Sequence, residues 1–312
     1  MFNDIPWVEK YRPNTFNKIV LNNNNKIIFK NIIEKNLFPN LLLYGPPGTG
    51  KTTTIVNLIQ LYQEKYEKKN NTLIQHLNAS DERGIDIIRN QIYNFVNTKP
   101  LFINGVKFVI LDEVDYMTKN AQQALKYLIQ DYNSDVRFCL ICNYISKIDE
   151  TLQNEFIKVR FNNLPSDEIS IFLKSIINNQ KLNINDNILS NIQQYYESDI
   201  RSMINYIQLN QDNLQKNNNS INIINNDIWI DIIEIIKNND NIFIEGYINN
   251  ISLKYNIEHK NIIQQIVNFL IIERKKINNE ILDIIETIIH ESFNRDTLKY
   301  FIIVIKKFIK NL

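Results

Sequence analysis

The hydrophobic rhythm of this chain changes once along its length. Between residues 41 and 161, short apolar runs alternate with stretches of helical period; from Ser166 onward only the helical period remains. The short runs are Leu41–Tyr44, Leu73–Leu77, Val106–Leu111, Val136–Cys142 and Ile157–Phe161. Each has the length and apolar content of a buried strand. Between them lie Ile55, Val56, Leu58 and Ile59; then Ile87, Ile88, Ile92 and Phe95; then Ala121, Ala124, Leu125 and Leu128. Their three- and four-residue spacing lines one face of a helix. An amphipathic helix is also expected at 26–37, before the first strand. Strands alternating with helices predict an α/β fold with a mostly parallel, doubly wound sheet.

Pro165 marks a boundary. The later stripes, Ile169, Phe172, Leu173, Ile176 and Ile177, then Ile188, Leu189 and Ile192, then Ile200, Met203, Ile204 and Ile207, predict a small helical bundle. Residues 214–226 are Asn-rich and are expected to form a loop. From Ile228 to Leu312 the chain is again helical and Ile-rich, with no glycine after Gly246 and no catalytic constellation. Such a segment suits assembly better than chemistry.

Composition narrows the function classes. The chain has 312 residues, 44% of them hydrophobic, enough for two or three cored domains. A net charge of +1 gives no global basic field, so nucleic-acid contact would need a local patch or a larger assembly. No apolar run is long enough to span a membrane, and Met1-Phe2-Asn3-Asp4 does not read as a signal peptide. Two cysteines suit a reducing compartment. Cys139 and Cys142 lie three apart on one predicted strand, so they face opposite sides and should form neither a disulfide nor a metal site. His76, His259 and His290 are scattered and read as structural or surface residues. The Asn22–Asn25 and Asn217–Asn219 runs read as loop composition without chemistry.

One stretch carries the chemistry. Gly45-Pro46-Pro47-Gly48-Thr49-Gly50-Lys51-Thr52-Thr53 follows the first strand and opens a helix. That is the context of a phosphate-binding loop. The glycines let the backbone N–H groups curl around an anion, and the helix adds the positive end of its dipole. Lys51 would reach the β- and γ-phosphates, and the Thr52 hydroxyl would sit on Mg²⁺. The third strand ends in Asp112-Glu113-Val114-Asp115, where an α/β sheet places catalytic carboxylates. Asp112 would hold Mg²⁺ through water, and Glu113 would activate the attacking water. Asn143, at the tip of the fourth strand, either positions the same water or simply ends the strand. Residues 5–13, Ile-Pro-Trp-Val-Glu-Lys-Tyr-Arg-Pro, are held extended or turned by Pro6 and Pro13. This arm either wraps the base of a nucleotide or packs Trp7 against the domain.

Taken together, Trp7-Val8-Glu9-Lys10-Tyr11-Arg12-Pro13, the phosphate loop, Asn78-Ala79-Ser80-Asp81-Glu82-Arg83-Gly84, Asp112-Glu113-Val114-Asp115 and Phe138-Cys139-Leu140-Ile141-Cys142-Asn143-Tyr144 resemble the small subunits of the replication factor C clamp loader, an AAA+ ATPase family. Arg83-Gly84-Ile85-Asp86-Ile87-Ile88-Arg89 and Cys142-Asn143-Tyr144 look most like the subunit numbered five in animals and three in yeast. The resemblance implies a nucleotide-binding domain at 1–163, a helical lid at 164–222 and a helical collar at 223–312. It implies ATP and Mg²⁺ as ligands, with Val8, Tyr11, Arg12 and Val20 bordering the adenine and phosphates. Asn143 would be the first sensor and Arg201 a second sensor reaching in from the lid. It implies a nuclear hetero-pentamer of clamp-loader subunits that opens a PCNA-type sliding clamp and sets it on primer–template DNA in replication. Arg83, Arg89 and Lys119 would meet DNA phosphates, or else remain solvated surface charges. Ile92, Phe95 and Val96 would meet the clamp, or else belong to the core. No membrane is implied.

The sequence also departs from that pattern. The family carries Ser-Arg-Cys before the fifth strand, and its arginine reaches the neighbouring subunit's ATP; here the positions read Asn154-Glu155-Phe156. Glu155 has the wrong charge for stabilising transferred phosphate. Ala124-Leu125-Lys126-Tyr127 replaces Ala-Leu-Arg-Arg, keeping one charge but losing the guanidinium fork. Val114 stands where Ala is usual. The rival readings are a non-hydrolysing scaffold subunit of the same complex and an AAA+ DNA-remodelling motor such as a branch-migration helicase.

Overall fold

The computed structural model describes residues 5–66, 70–80, 87–98, 105–132, 135–215, 226–255, 257–274, 282, 286 and 295–310. The chain divides into two compact units, Met1–Asn217 and Asn218–Leu312.

The first unit is built on a five-stranded sheet of β1 (Leu41–Tyr44), β2 (Ile74–Asn78), β3 (Lys107–Asp112), β4 (Val136–Cys142) and β5 (Ile157–Arg160). Its order is β2-β3-β4-β1-β5, with every pairing parallel. Parallel strands need crossover connections, and the crossovers cover both faces. On one face, Leu42, Val109, Leu111, Phe138, Leu140 and Cys142 pack with Ile92, Val96, Ala121, Leu125 and Ile129. On the other, Leu41, Leu43, Phe108, Ile110, Cys139 and Ile141 pack with Phe29, Ile32, Ile55, Leu58 and Ile59. Alternate residues of β1, β3 and β4 therefore serve opposite cores, as a two-residue period requires. Cys139 and Cys142 fall in different cores and are both free and buried.

The helices around the sheet are α1 (Trp7–Lys10), α2 (Asn23–Glu34), α3 (Lys51–Tyr66), α4 (Tyr93–Asn97), α5 (Lys119–Asp131) and α6 (Glu150–Gln153). A wide helical turn, Ile87–Ile92, leads into α4. Two expectations need correction here. Pro6 and Pro13 do not keep the arm non-helical, because Pro6 sits at the N-cap of α1, where no intrahelical N–H is needed. The Asn22–Asn25 run is not an idle loop. The Asn22 side chain caps α2 by accepting from Asn25 N at 2.8 Å, and buried Asn25 donates from Nδ2 to Arg160 O at 2.9 Å. The helix therefore starts before residue 26.

Lys107 opens β3 with a buried ammonium. Its Nζ donates to Phe95 O at 2.7 Å, to Val96 O at 3.1 Å and to Thr98 O, and lies 5.2 Å from the Phe95 ring centroid. It thus satisfies the carbonyls at the end of α4. Lys107→Met keeps the stem and orphans those carbonyls, so it should cost about 2 kcal/mol. A urea midpoint equal to that of the wild type would show the carbonyls need no such partner.

The first unit continues with α7 (Ser166–Asn179), α8 (Asp186–Tyr196), α9 (Ile200–Leu209) and α10 (Gln211–Gln215). Ile169, Leu173 and Ile176, with Leu189, Ile192, Met203 and Ile207, are buried, as their spacing predicts. The second unit contains α11 (Asn226–Asn238), α12 (Asn241–Tyr255), α13 (His259–Arg274) and α14 (Arg295–Lys310). Ile232, Ile248, Ile262, Ile266, Phe301 and Ile305 lie in its own core. Among the described residues, no helix is long and apolar enough to cross a membrane.

Candidate active site

The C-terminal ends of β1, β3 and β4 open onto one cavity of about 380 Å³. That is an ordinary size for a small-molecule site, placed where an open α/β sheet binds its ligands.

The loop from β1 to α3 forms its floor, with Pro47 to Thr53 lining the cavity. Gly45 has φ +141°, and a Cβ there would lie 2.0 Å from Phe161 O. Gly48 has φ +72°, and a Cβ there would lie 1.8 Å from Asp199 Oδ1. Both positions therefore exclude any side chain, and the loop runs tightly between β5's end and α9's cap. Gly45 and Pro46 do not line the cavity; their carbonyls accept from Lys51 Nζ, each at 2.8 Å. The same ammonium donates to Asn143 Oδ1 at 2.9 Å. Burial pushes the Lys51 pKa below the usual 10.5, opposed mainly by the Asp112 charge. The charged form is the one that attracts phosphate, so anion affinity should fade at a lower alkaline pH than for a free lysine.

Thr52 Oγ1 donates to Asp112 Oδ2 at 2.7 Å. A hydroxyl and a carboxylate side by side are hard oxygen donors. Two protein oxygens suit Mg²⁺ when substrate phosphates and water supply the rest. Asp112 Oδ1 accepts from Glu113 N at 2.9 Å. Glu113 has φ 56° and ψ 38°, a left-handed conformation unusual for a side chain of this size. Glu113 and Asn143 both line the cavity.

The far wall comes from the arm and from α7 and α9. Val8, Tyr11, Arg12 and Val20 line it, as does Arg201, next to Ile200 in the first turn of α9. Arg12 Nε donates to Thr53 Oγ1 at 3.2 Å. Trp7 is buried, with its ring edge-on to Tyr11 at 6.4 Å. The arm's two sequence readings thus fall to different residues: Trp7 packs, and its neighbours face the cavity.

Sequence reasoning missed the apolar part of this wall: Ile19, Phe172, Ile200 and Ile204. The signal was faint, because Phe172 is half-buried on the flank of the Ile169–Leu173–Ile176 stripe. It also missed Gln122. This buried amide donates from Nε2 to Met117 O at 3.2 Å and Lys147 O at 3.1 Å, and accepts from Asp149 N at 2.7 Å. It ties the turn after Glu113 to the segment after Asn143. Buried Asp115 accepts from Tyr144 N at 3.4 Å through Oδ2, and its Oδ1 has no partner.

The outlying residues separate. Arg83 and the Arg89 side chain lie outside the described residues, and Lys119 is exposed at the start of α5. Ile92 and Val96 do not offer a surface: both are buried against the sheet, because the helical stripe is core-facing, and only Phe95 is half-exposed. Exposed Tyr93 stands between them. Glu155 Oε1 accepts from Gln130 Nε2 at 2.7 Å.

Residues 41–164 match the family described as "ATPase family associated with various cellular activities (AAA)". The chain is 41% identical over 206 residues to "Replication factor C subunit 5" of Homo sapiens, covering 66% of this chain and 60% of that protein. It is 38% identical over 205 residues to "Replication factor C subunit 3" of Saccharomyces cerevisiae, covering 66% and 59%. Among solved structures, a Thermotoga maritima RuvB Holliday junction branch migration motor superposes with a TM-score of 0.54 at 16% identity, covering 88% of this chain and 85% of that one. The last likeness concerns the fold alone, a RuvB-like AAA+ fold with helices after the sheet domain.

Proposed function

We infer that this chain, built on an AAA domain and similar to replication factor C small subunits, is an ATP-binding subunit of a clamp loader. The observation that carries this reading is one cavity that gathers Lys51, the Thr52–Asp112 pair, Glu113, Asn143 and Arg201. The loop's N–H groups and the start of α3 would hold the phosphates of ATP, with Lys51 on the β- and γ-phosphates. Thr52 and Asp112 would hold Mg²⁺, which when bound neutralises charge on those phosphates. Glu113 takes the proton from the water that attacks the γ-phosphorus; the bond to the ADP oxygen breaks, leaving ADP and phosphate. Asn143 orients that water, and Arg201 brings a second positive charge from the lid.

The domain assignment follows the same reading: nucleotide binding at 1–163, lid at 164–222, collar at 223–312. The collar would join this chain to other clamp-loader subunits in a hetero-pentamer in the nucleus. ATP would assemble the state that opens a PCNA-type clamp, and hydrolysis on primer–template DNA would release it. Arg83, Arg89 and Lys119 are the proposed DNA contacts, and Phe95 is the remaining candidate for the clamp.

Lys51→Ala should weaken ATP binding by about 10- to 100-fold, the worth of one or two charge-assisted hydrogen bonds. Assembly should survive, since the collar is a separate segment. Equilibrium titration of the isolated chain with ATP checks this, and an unchanged affinity would remove the phosphate-loop assignment. Clamp loading onto primed DNA by a reconstituted complex, with and without this chain, checks the larger role.

A further inference from the structure

We propose that Gln180 and Gln208, which line no part of the cavity, are positioning residues that set nucleotide affinity through the N-terminal arm. The proposal rests on reading the cavity as the ATP site. The arm supplies Val8, Tyr11 and Arg12 to its wall, yet α1 has only four residues. A single helical turn does not hold itself. Its place must come from tertiary contacts: the Trp7 ring is buried, and the hydrogen bonds run in two directions.

Toward α3, Arg12 Nε donates to Thr53 Oγ1 at 3.2 Å, and Pro13 O accepts from Asn57 Nδ2 at 3.0 Å. Toward the lid, Trp7 N donates to Gln208 Oε1 at 2.9 Å, and Gln180 Nε2 donates to the Tyr11 hydroxyl. Trp7 N is one of the N–H groups that a helix start leaves unsatisfied, and Pro6 provides no side-chain cap. The Gln208 amide supplies the missing acceptor.

The two glutamines share helices with the cavity wall. Gln208 follows Ile204 by four residues on α9, hence on the same face. Gln180 is the C-cap of α7, two turns beyond Phe172. The helices that present Phe172, Ile204 and Arg201 to the cavity therefore also grip the arm that completes the same wall. The two bonds tie the arm to the lid helices. Loss of the grip lets the arm drift, loosening the ligand without touching Lys51, Glu113 or Asn143. The effect belongs in affinity and not in the chemical step.

The test uses the full chain and ATP. Gln180→Leu and Gln208→Leu each remove one hydrogen bond and should raise the ATP Kd about fivefold. The single-turnover hydrolysis rate at saturating ATP, measured in the reconstituted complex, should stay within about twofold of the wild type. Gln208→Glu retains the acceptor for Trp7 N; Gln180→Glu loses the Nε2 donor but accepts from the Tyr11 hydroxyl with the bond reversed, so both should bind ATP nearly as the wild type does. Tyr11→Phe combined with Gln180→Leu should be no weaker than the weaker single variant, because both delete one bond. A wild-type Kd in both leucine variants, or an equal loss in the glutamate variants, overturns the proposal. So does a fall in saturated rate matching the fall in affinity. If Lys51→Ala also binds ATP normally, the nucleotide reading itself fails; if Lys51→Ala loses ATP while the leucine variants do not, only the role of the glutamines fails.

Discussion

Glu113→Gln should keep ATP bound and hydrolyse it about 10²- to 10⁴-fold more slowly, the usual worth of a positioned general base. The backbone supports the assignment. A left-handed glutamate costs on the order of 1–3 kcal/mol, and here the conformation is held by the bond from Glu113 N to Asp112 Oδ1 at 2.9 Å. The kink turns the chain at the end of β3, so the Asp112 carboxylate faces Thr52 while the next residue faces the cavity. Glutamine preserves the kink and the shape but accepts no proton. Glycine would relax the backbone and should raise thermal stability slightly while abolishing the base. The measurements are equilibrium ATP binding and single-turnover hydrolysis on the reconstituted complex. Should ATP be lost together with turnover in the glutamine variant, Glu113 holds the site together and some other group activates water.

The isolated chain should turn ATP over at least about a thousandfold more slowly than a complex in which a neighbour supplies an arginine. Glu155 is the reason. An arginine aimed at a neighbour's γ-phosphate stabilises charge that develops during transfer, whereas a carboxylate repels it. Glu155 Oε1 accepts from Gln130 Nε2 at 2.7 Å in an exposed hydrogen bond just before β5. Lys158 and Arg160 are nearby and exposed on that edge strand, where they could take part in its stead. Steady-state ATPase of the single chain, of the complex and of Glu155→Arg in each separates these cases. Fast turnover by the unaltered chain alone would mean that copies of it do supply a trans-acting cation.

Leu41–Tyr44, from which the phosphate loop springs, and its neighbour Val136–Cys142 have the bounds their apolar runs predict, because both faces of each are buried. β2, β3 and β5 differ from their predicted spans by a residue at one or both ends. Burial sets the pattern, but hydrogen bonds such as that from Lys107 N to Asp135 O set the ends. The phosphate loop and Asp112-Glu113 were legible because their chemistry sits in consecutive residues. Apart from Arg201, the lid wall was not: helical spacing shows that α7 and α9 have an apolar face, not that its flank turns toward a loop more than a hundred residues earlier. Asn22 was misread for a related reason, since a cap is a matter of one backbone N–H and not of local composition. Ile92 and Val96 show the converse, a stripe whose ordinary use as core is the one it has.

The chain carries its own pair of reporters for how the sheet domain comes apart. Cys139 and Cys142 are three residues apart on β4 yet sealed under different layers, one beneath α2 and α3, the other beneath α4 and α5. Burial holds the Cys142 thiol at a pKa of about 12 and raises that of Cys139 as well, so neither reacts while its layer is closed. A thiol reagent that labels one and spares the other identifies which side of the sheet has opened. Equal labelling of both identifies global unfolding. No tag or engineered residue is needed, and while β4 is intact oxidation cannot join the two, because the strand keeps them on opposite sides.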